Sequence, residues 1–123
     1  MSPPLRVAIL GSTGSIGRST LEVIRRHPDR FQVLALVTKR SLASFVEQVA
    51  TFRPRRAVVA DGAALAAGQD LPRANWEGGR EAVLSVASDP DVDVVVNGLV
   101  GAVGLEPTLA ALQSGKRLAL ANK

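Results

Sequence analysis

Val7 to Ile24 reads VAILGSTGSIGRSTLEVI, an apolar run that meets Gly11, Gly14 and Gly17 and then gives way to helical spacing. A strand that turns at once into a helix needs residues tolerant of positive φ, and a phosphate lying against the backbone excludes Cβ atoms. In this reading Gly11 makes the turn, Gly14 lets the backbone approach a pyrophosphate, and Gly17 lets the helix pack on the strand. The helix N-terminus then presents free N–H groups and the positive end of its dipole to the anion. Thr13 and Ser15 add hydroxyl donors. The spacing is G-x-x-G-x-x-G, one residue longer than the common dinucleotide fingerprint, and a tight structural turn is the alternative reading. A P-loop is excluded, because no Gly-Lys-Ser/Thr closes the stretch.

Outward from this loop, short apolar runs alternate with helical patterns. Leu5–Leu10 and Phe31–Val37 are nearly continuous apolar runs, as in strands buried on both faces. Between them Ile16, Thr20, Val23 and Ile24 recur at helical spacing, and His27-Pro28 should end that helix. The lone His27 reads as a helix-terminal surface residue. Ser41 can cap a second helix with an apolar face of Leu42, Phe45, Val46 and Val49, ending before Pro54. Arg56–Ala60 reads as a third strand, and Asp93–Gly98 as a later one after a turn at Asp89-Pro90. Leu105–Gly115 is expected to be a helix stopped by Gly115, and Arg117–Ala121 the last strand. From Asp61 to Gly79 the signal is weakest: AALAAG suits a short helix, and LPRANWEGG an irregular edge strand or a loop.

This alternation predicts an α/β fold, Rossmann-like and doubly wound, with a mainly parallel sheet and helices on both faces. Ligands of such sheets sit beyond the carboxyl ends of the strands. The loops at Gly11–Gly17, Thr38–Ser41 and Gly98–Gly104 should gather on that edge. Gly98, Gly101 and Gly104 either keep side chains away from a bound ligand or ease the turn into the next helix.

Composition narrows the partners. The chain has 123 residues, enough for one domain with a real core but small for a complete two-substrate enzyme. Hydrophobic residues make up 46% and aromatics 3%, so the core must be Val, Leu, Ile and Ala. Zero cysteines exclude disulfides, thiolate metal sites and a Cys nucleophile, and are compatible with a reducing cytoplasm. No apolar stretch approaches the ~20 residues of a membrane span, and MSPPLR is too short for a targeting peptide, so no membrane role is expected. The formal net charge of +4 comes from scattered cations, and little aromatic surface exists to stack bases, which argues against nucleic acid. A small anionic ligand fits better.

The end of the second strand tests which one. A free ribose 2′-hydroxyl usually meets an Asp or Glu about 20 residues past the glycines. Here the chain reads LVTKRSL, with no carboxylate between Phe31 and Phe45. Lys39 and Arg40 occupy the corner, with Ser41 able to hydrogen-bond. Alone they read as a solvated basic pair; beside the glycine loop they favour a 2′-phosphate, and so NADP over NAD.

Together, ILGSTGSIGRSTLEVI, FQVLALVTKRS and GLVGAVGLEPTLAALQSGKRLALANK resemble 1-deoxy-D-xylulose 5-phosphate reductoisomerase, in collinear order over nearly the whole chain. The resemblance implies that residues 1–123 are the amino-terminal NADPH-binding domain of such an enzyme. That family rearranges 1-deoxy-D-xylulose 5-phosphate and reduces it with NADPH to 2-C-methyl-D-erythritol 4-phosphate in non-mevalonate isoprenoid synthesis. Carried over by position, Thr13, Gly14, Ser15 and Ile16 should contact the cofactor phosphates. Lys39, Arg40 and Ser41 should surround the 2′-phosphate, where the family commonly carries Gly-Lys-Asn. Asn122 should lie near the nicotinamide, and Lys123 should reach the sugar-phosphate substrate.

The family goes on past this lysine with a glutamate, the carboxylates that bind magnesium or manganese, and a loop that closes over substrate. By resemblance, then, no catalytic or metal-binding residue is assigned within this chain, which alone is expected to be inactive. The parent is expected to be a cytoplasmic homodimer. Other readings are the NADP-binding domain of an aspartate-semialdehyde or sugar dehydrogenase, or a non-catalytic NADP(H)-sensing regulator.

Overall fold

The computed structural model describes residues 3–68, 71–99, 107 and 115–120. The strands are β1 (Leu5–Leu10), β2 (Phe31–Thr38), β3 (Arg56–Val59), β4 (Trp76–Gly78), β5 (Val94–Asn97) and β6 (Arg117–Leu120). They form one six-stranded sheet in the order β4-β3-β2-β1-β5-β6, and every neighbouring pair is parallel. Among the described residues, the helices with both ends described are α1 (Ser15–Arg26), α2 (Leu42–Phe52), α3 (Gly62–Ala66) and α4 (Arg80–Ala87). From β1 the chain builds outward through β2, β3 and β4, then returns to lay β5 on the other side of β1. The strand order therefore reverses between β1 and β5, and the crevice beyond their carboxyl ends is where such sheets bind ligands.

Alternating side chains of the buried strands feed two cores. Val7 and Ile9 join Leu21 and Ile24 of α1, Phe45 and Val49 of α2, and Leu36 on one face. Ala8 and Leu10 join Val83, Val86 and Ala87 of α4, with Val92 and Val95, on the other. Burial of each Leu, Ile or Val contributes roughly 1.5–3 kcal/mol, which is why the central strands carry hardly a polar residue. A bulge adjusts the register of β2: Val7 pairs with Val33 but Ala8 with Ala35. The extra residue, Leu34, points with Ala35 into the α4 face, while Val33 and Leu36 point to the α1/α2 face.

The expected doubly wound fold is the observed one, with adjusted limits. Strand β2 runs one residue further, to Thr38, β3 ends at Val59 rather than Ala60, and β5 is Val94–Asn97 rather than Asp93–Gly98. In the stretch with the weakest signal, Gly62–Ala66 is a short helix capped by the Asp61 carboxylate, which accepts from the amides of Ala63 and Ala64. Trp76–Gly78 is an edge strand, held where the Trp76 ring meets Phe45 edge-on at 5.9 Å. Helix α4 is an element that sequence patterning did not single out. Of the helix expected over Leu105–Gly115, Pro107 is helical and buried and Gly115 lies in a turn with φ 73°; the remainder lies outside the described residues, as do Gly101, Gly104 and Ala121.

Candidate functional site

The loop from β1 to α1 is fixed by its own backbone. Gly11 has φ +80°, and the amides of Gly11 and Ser12 both donate to the Val37 carbonyl, at 2.7 and 2.9 Å. Across the crevice, the Gly98 amide donates to Leu10 O at 2.7 Å, and a Cβ on Gly11 would come within 2.9 Å of the Gly98 carbonyl carbon. Gly11 and Gly98 are thus packed backbone to backbone at the point where strand order reverses. Gly17 seats α1 on the loop, since a Cβ there would lie 2.5 Å from Ser12 Cα.

Gly14 differs. Its φ of −77° suits any residue, and an added Cβ would meet only Gly11 O at an ordinary 3.5 Å. It is exposed and serves as the N-cap of α1 with no side-chain cap hydrogen bond and no acidic residue in the first turn. An uncapped helix start of this kind leaves its first amides to an outside acceptor. Ser15 and Ile16 are exposed beside it, with Ile16 at 37%.

Two polar contacts tie this loop to its neighbours. The hydroxyls of Thr13 and Thr38 lie 2.9 Å apart, joining the loop to the end of β2. Ser12 Oγ donates to Gln48 Oε1 at 2.8 Å, and Gln48 Nε2 donates back to the Ser12 carbonyl at 2.9 Å. Ser12 and Thr38 are fully buried, and no buried polar side-chain atom among the described residues lacks a hydrogen bond. Sequence reasoning did not single out Ser12, Thr38 or Gln48. The buried Asn97 at the end of β5 was also missed; its Oδ1 accepts from the Leu99 amide at 3.0 Å, shaping the opposite wall.

Lys39, Arg40 and Ser41 follow β2 on the same sheet edge, and all are exposed. Lys39 O accepts the Asp61 amide at 2.8 Å, and Ser41 O accepts the Phe45 amide at 3.3 Å, so the corner's backbone is anchored. Neither Lys39 nor Arg40 has an ion-pair partner among the described residues.

At the opposite edge, by contrast, Arg6, Arg55 and Arg56 are each paired with carboxylates. Arg6 bonds Asp93 through Nε and Nη2, both at 3.2 Å, and Arg55 reaches Asp91 at 2.7 Å. Arg56 bridges Glu77 at 2.7 Å and Asp89 at 3.1 Å. The Arg56 hydrogen bond holds Glu77 below the usual carboxylate range. Burial opposes ionisation of Asp89, but the Asp91 amide and Arg56 outweigh it and its pKa is lowered too. Asp93 is lowered by its hydrogen bonds with Arg6.

The structure therefore brings Thr13, Gly14, Ser15, Ile16, Lys39, Arg40 and Ser41 to one edge of the sheet. Asn122 and Lys123 lie outside the described residues. Among the described residues no group of His, Asp and Glu has the arrangement of a metal site, and no helix is long and apolar enough to cross a membrane.

The model of the 1-deoxy-D-xylulose 5-phosphate reductoisomerase family matches residues 7–123. The enzyme of that name from Stutzerimonas stutzeri is 50% identical over 128 residues, an alignment covering all of this chain and 32% of the relative. A solved reductoisomerase from Zymomonas mobilis in complex with NADPH superposes with a TM-score of 0.82 at 36% identity, over 97% of this chain and 32% of the other. Another, in complex with NADPH, fosmidomycin and magnesium, gives 0.83 at 38% identity, over 96% of this chain and 30% of the other. The chain spans about a third of the length of these relatives. A match over this span favours the reductoisomerase over the semialdehyde dehydrogenase, sugar dehydrogenase and regulator readings, and the chain belongs to the 1-deoxy-D-xylulose 5-phosphate reductoisomerase family.

Proposed function

We infer that residues 1–123 are the NADPH-binding domain of an enzyme that rearranges and reduces 1-deoxy-D-xylulose 5-phosphate to 2-C-methyl-D-erythritol 4-phosphate. When bound, NADPH supplies the hydride. The backbone of Thr13, Gly14, Ser15 and Ile16 cradles its diphosphate at the uncapped start of α1. Lys39, Arg40 and Ser41 take the 2′-phosphate, with the Arg40 guanidinium able to grip it bidentately. Asn122 at the nicotinamide and Lys123 at the sugar phosphate complete the reading from family resemblance. The assembled enzyme is a cytoplasmic homodimer in this proposal.

One observation carries the reading. Gly14 lacks a Cβ that the fold itself would tolerate, on a loop joined through Thr13 and Thr38 to a corner whose two cations are unpaired among the described residues. A ligand with one phosphate group at the loop and another at the corner accounts for both features. In this reading the family's metal chemistry is not assigned to residues 1–123.

Calorimetric titration of this chain with NADPH and with NADH tests the proposal. NADPH is expected to bind clearly more tightly. Equal affinities would remove the 2′-phosphate from the Lys39–Arg40 corner. Binding of neither cofactor by a chain shown to be folded by circular dichroism would overturn the assignment.

A further inference from the structure

We propose that Gln48 is a positioning residue that sets the distance between the diphosphate loop and the 2′-phosphate corner. The inference rests on the cofactor reading above. Gln48 lies in α2, the helix that starts directly after Ser41, so one continuous helix joins the corner to Gln48. From there its amide reaches 36 residues back along the sequence and closes a two-bond ring with Ser12, accepting from Oγ at 2.8 Å and donating to the carbonyl at 2.9 Å. Ser12 is fully buried and sits between Gly11, which makes the turn, and Thr13, which the cofactor reading assigns to the diphosphate. Phe45 and Val49, also fully buried, hold this part of α2 against the sheet. The clamp is thus bolted to the core at one end and to the phosphate loop at the other.

The hydrogen bonds of Gln48 go to Ser12, which is not among the residues assigned to either phosphate, so its effect passes through Ser12. A ligand anchored at both positions gains from their fixed separation, since its second contact is made without further loss of freedom. A ligand anchored at one position gains nothing from it. That distinction separates positioning from a merely structural role.

The test compares wild type, Gln48→Met and Ser12→Ala, each titrated with NADPH, NADH and 2′-AMP. Gln48→Met keeps the stem packing and removes both bonds; Ser12→Ala removes one and keeps the Gln48 bond to the carbonyl. Gln48→Met should weaken NADPH about tenfold, a loss equivalent to about 1.4 kcal/mol, while NADH and 2′-AMP change less than about twofold. Ser12→Ala should show the same pattern at smaller size, and the double variant should be little worse than Gln48→Met, because the two residues form one unit. A uniform loss for all three ligands, or no change for any, would overturn the positioning role. If Gln48→Met does not fold, the Ser12→Ala ratios decide alone. Wild type lacking a preference for NADPH would instead defeat the cofactor reading on which the inference stands.

Discussion

Gly17 and Ser12 are in such close backbone contact that a Cβ on Gly17 would lie 2.5 Å from Ser12 Cα. The clash would be with backbone, which cannot swing aside as a flexible side chain can. Ser12 is itself held by the Val37 carbonyl and by Gln48. Gly17→Ala should therefore destabilise the fold by about 3 kcal/mol or more, through displacement of α1 from β1. Urea unfolding of the variant checks this; a loss under about 1 kcal/mol would show that the loop can yield.

Gly14→Ala should give the opposite result. The nearest atom to the new Cβ is 3.5 Å away and the backbone is already in a region open to alanine. The cost to stability should be below about 1 kcal/mol, the difference between Gly and Ala as N-cap residues. Affinity for NADPH should nevertheless fall about tenfold, because the methyl stands where the diphosphate approaches the amides. Paired melting and titration experiments separate the two effects. An unchanged affinity would mean that the phosphate does not lie against Gly14.

Arg40→Asp addresses the corner. Loss of a charge-assisted contact to the 2′-phosphate should cost on the order of 1.5–3 kcal/mol, and the new carboxylate adds repulsion. NADH, which has no such phosphate, should barely respond. The ratio of the two affinities is the measurement. Equal losses would take Arg40 out of the site and leave the preference to Lys39 and Ser41.

The fold was legible where burial is two-sided. Leu5–Leu10 and Phe31–Val37 are strands because both of their faces are covered, and that demands unbroken apolar sequence. Helix α4 gave little signal because its N-cap is Gly79 at φ 99°, with no side-chain cap, and its buried positions reduce to Val83, Val86 and Ala87. Strand β4 has three residues and pairs on one side, too short for any periodicity. At the site, Gly11, Gly17 and the basic corner were readable because turns and charges announce themselves locally. The Ser12–Gln48 and Thr13–Thr38 contacts were not, since each pairs ordinary polar residues far apart in sequence. Such partners become recognisable when β1, β2 and α2 are assembled.

The opposite edge of the sheet supplies a prediction independent of any cofactor. Arg56 is 15% exposed at its side chain and bonds both Glu77 and Asp89, and both carboxyl groups titrate below their ordinary range in the folded chain. Groups whose pKa is depressed on folding stabilise the native state above the unfolded pKa, near 4, and lose that contribution as pH falls through the folded value. Arg56→Met removes the cation and leaves two carboxylates half-buried without it. The variant should be less stable than wild type at pH 7 by about 2 kcal/mol, between the values for surface and buried pairs. The gap should narrow steadily between pH 5 and 3, as protonation removes the charges that the arginine balanced. Contributions of the Arg6–Asp93 and Arg25–Glu22 pairs run in the same direction but persist in both proteins, and so cancel in the difference. Urea unfolding of the two proteins at several pH values provides the test. A gap that stays constant from pH 7 to 3 would mean that Arg56 acts through packing of its stem rather than through its charge.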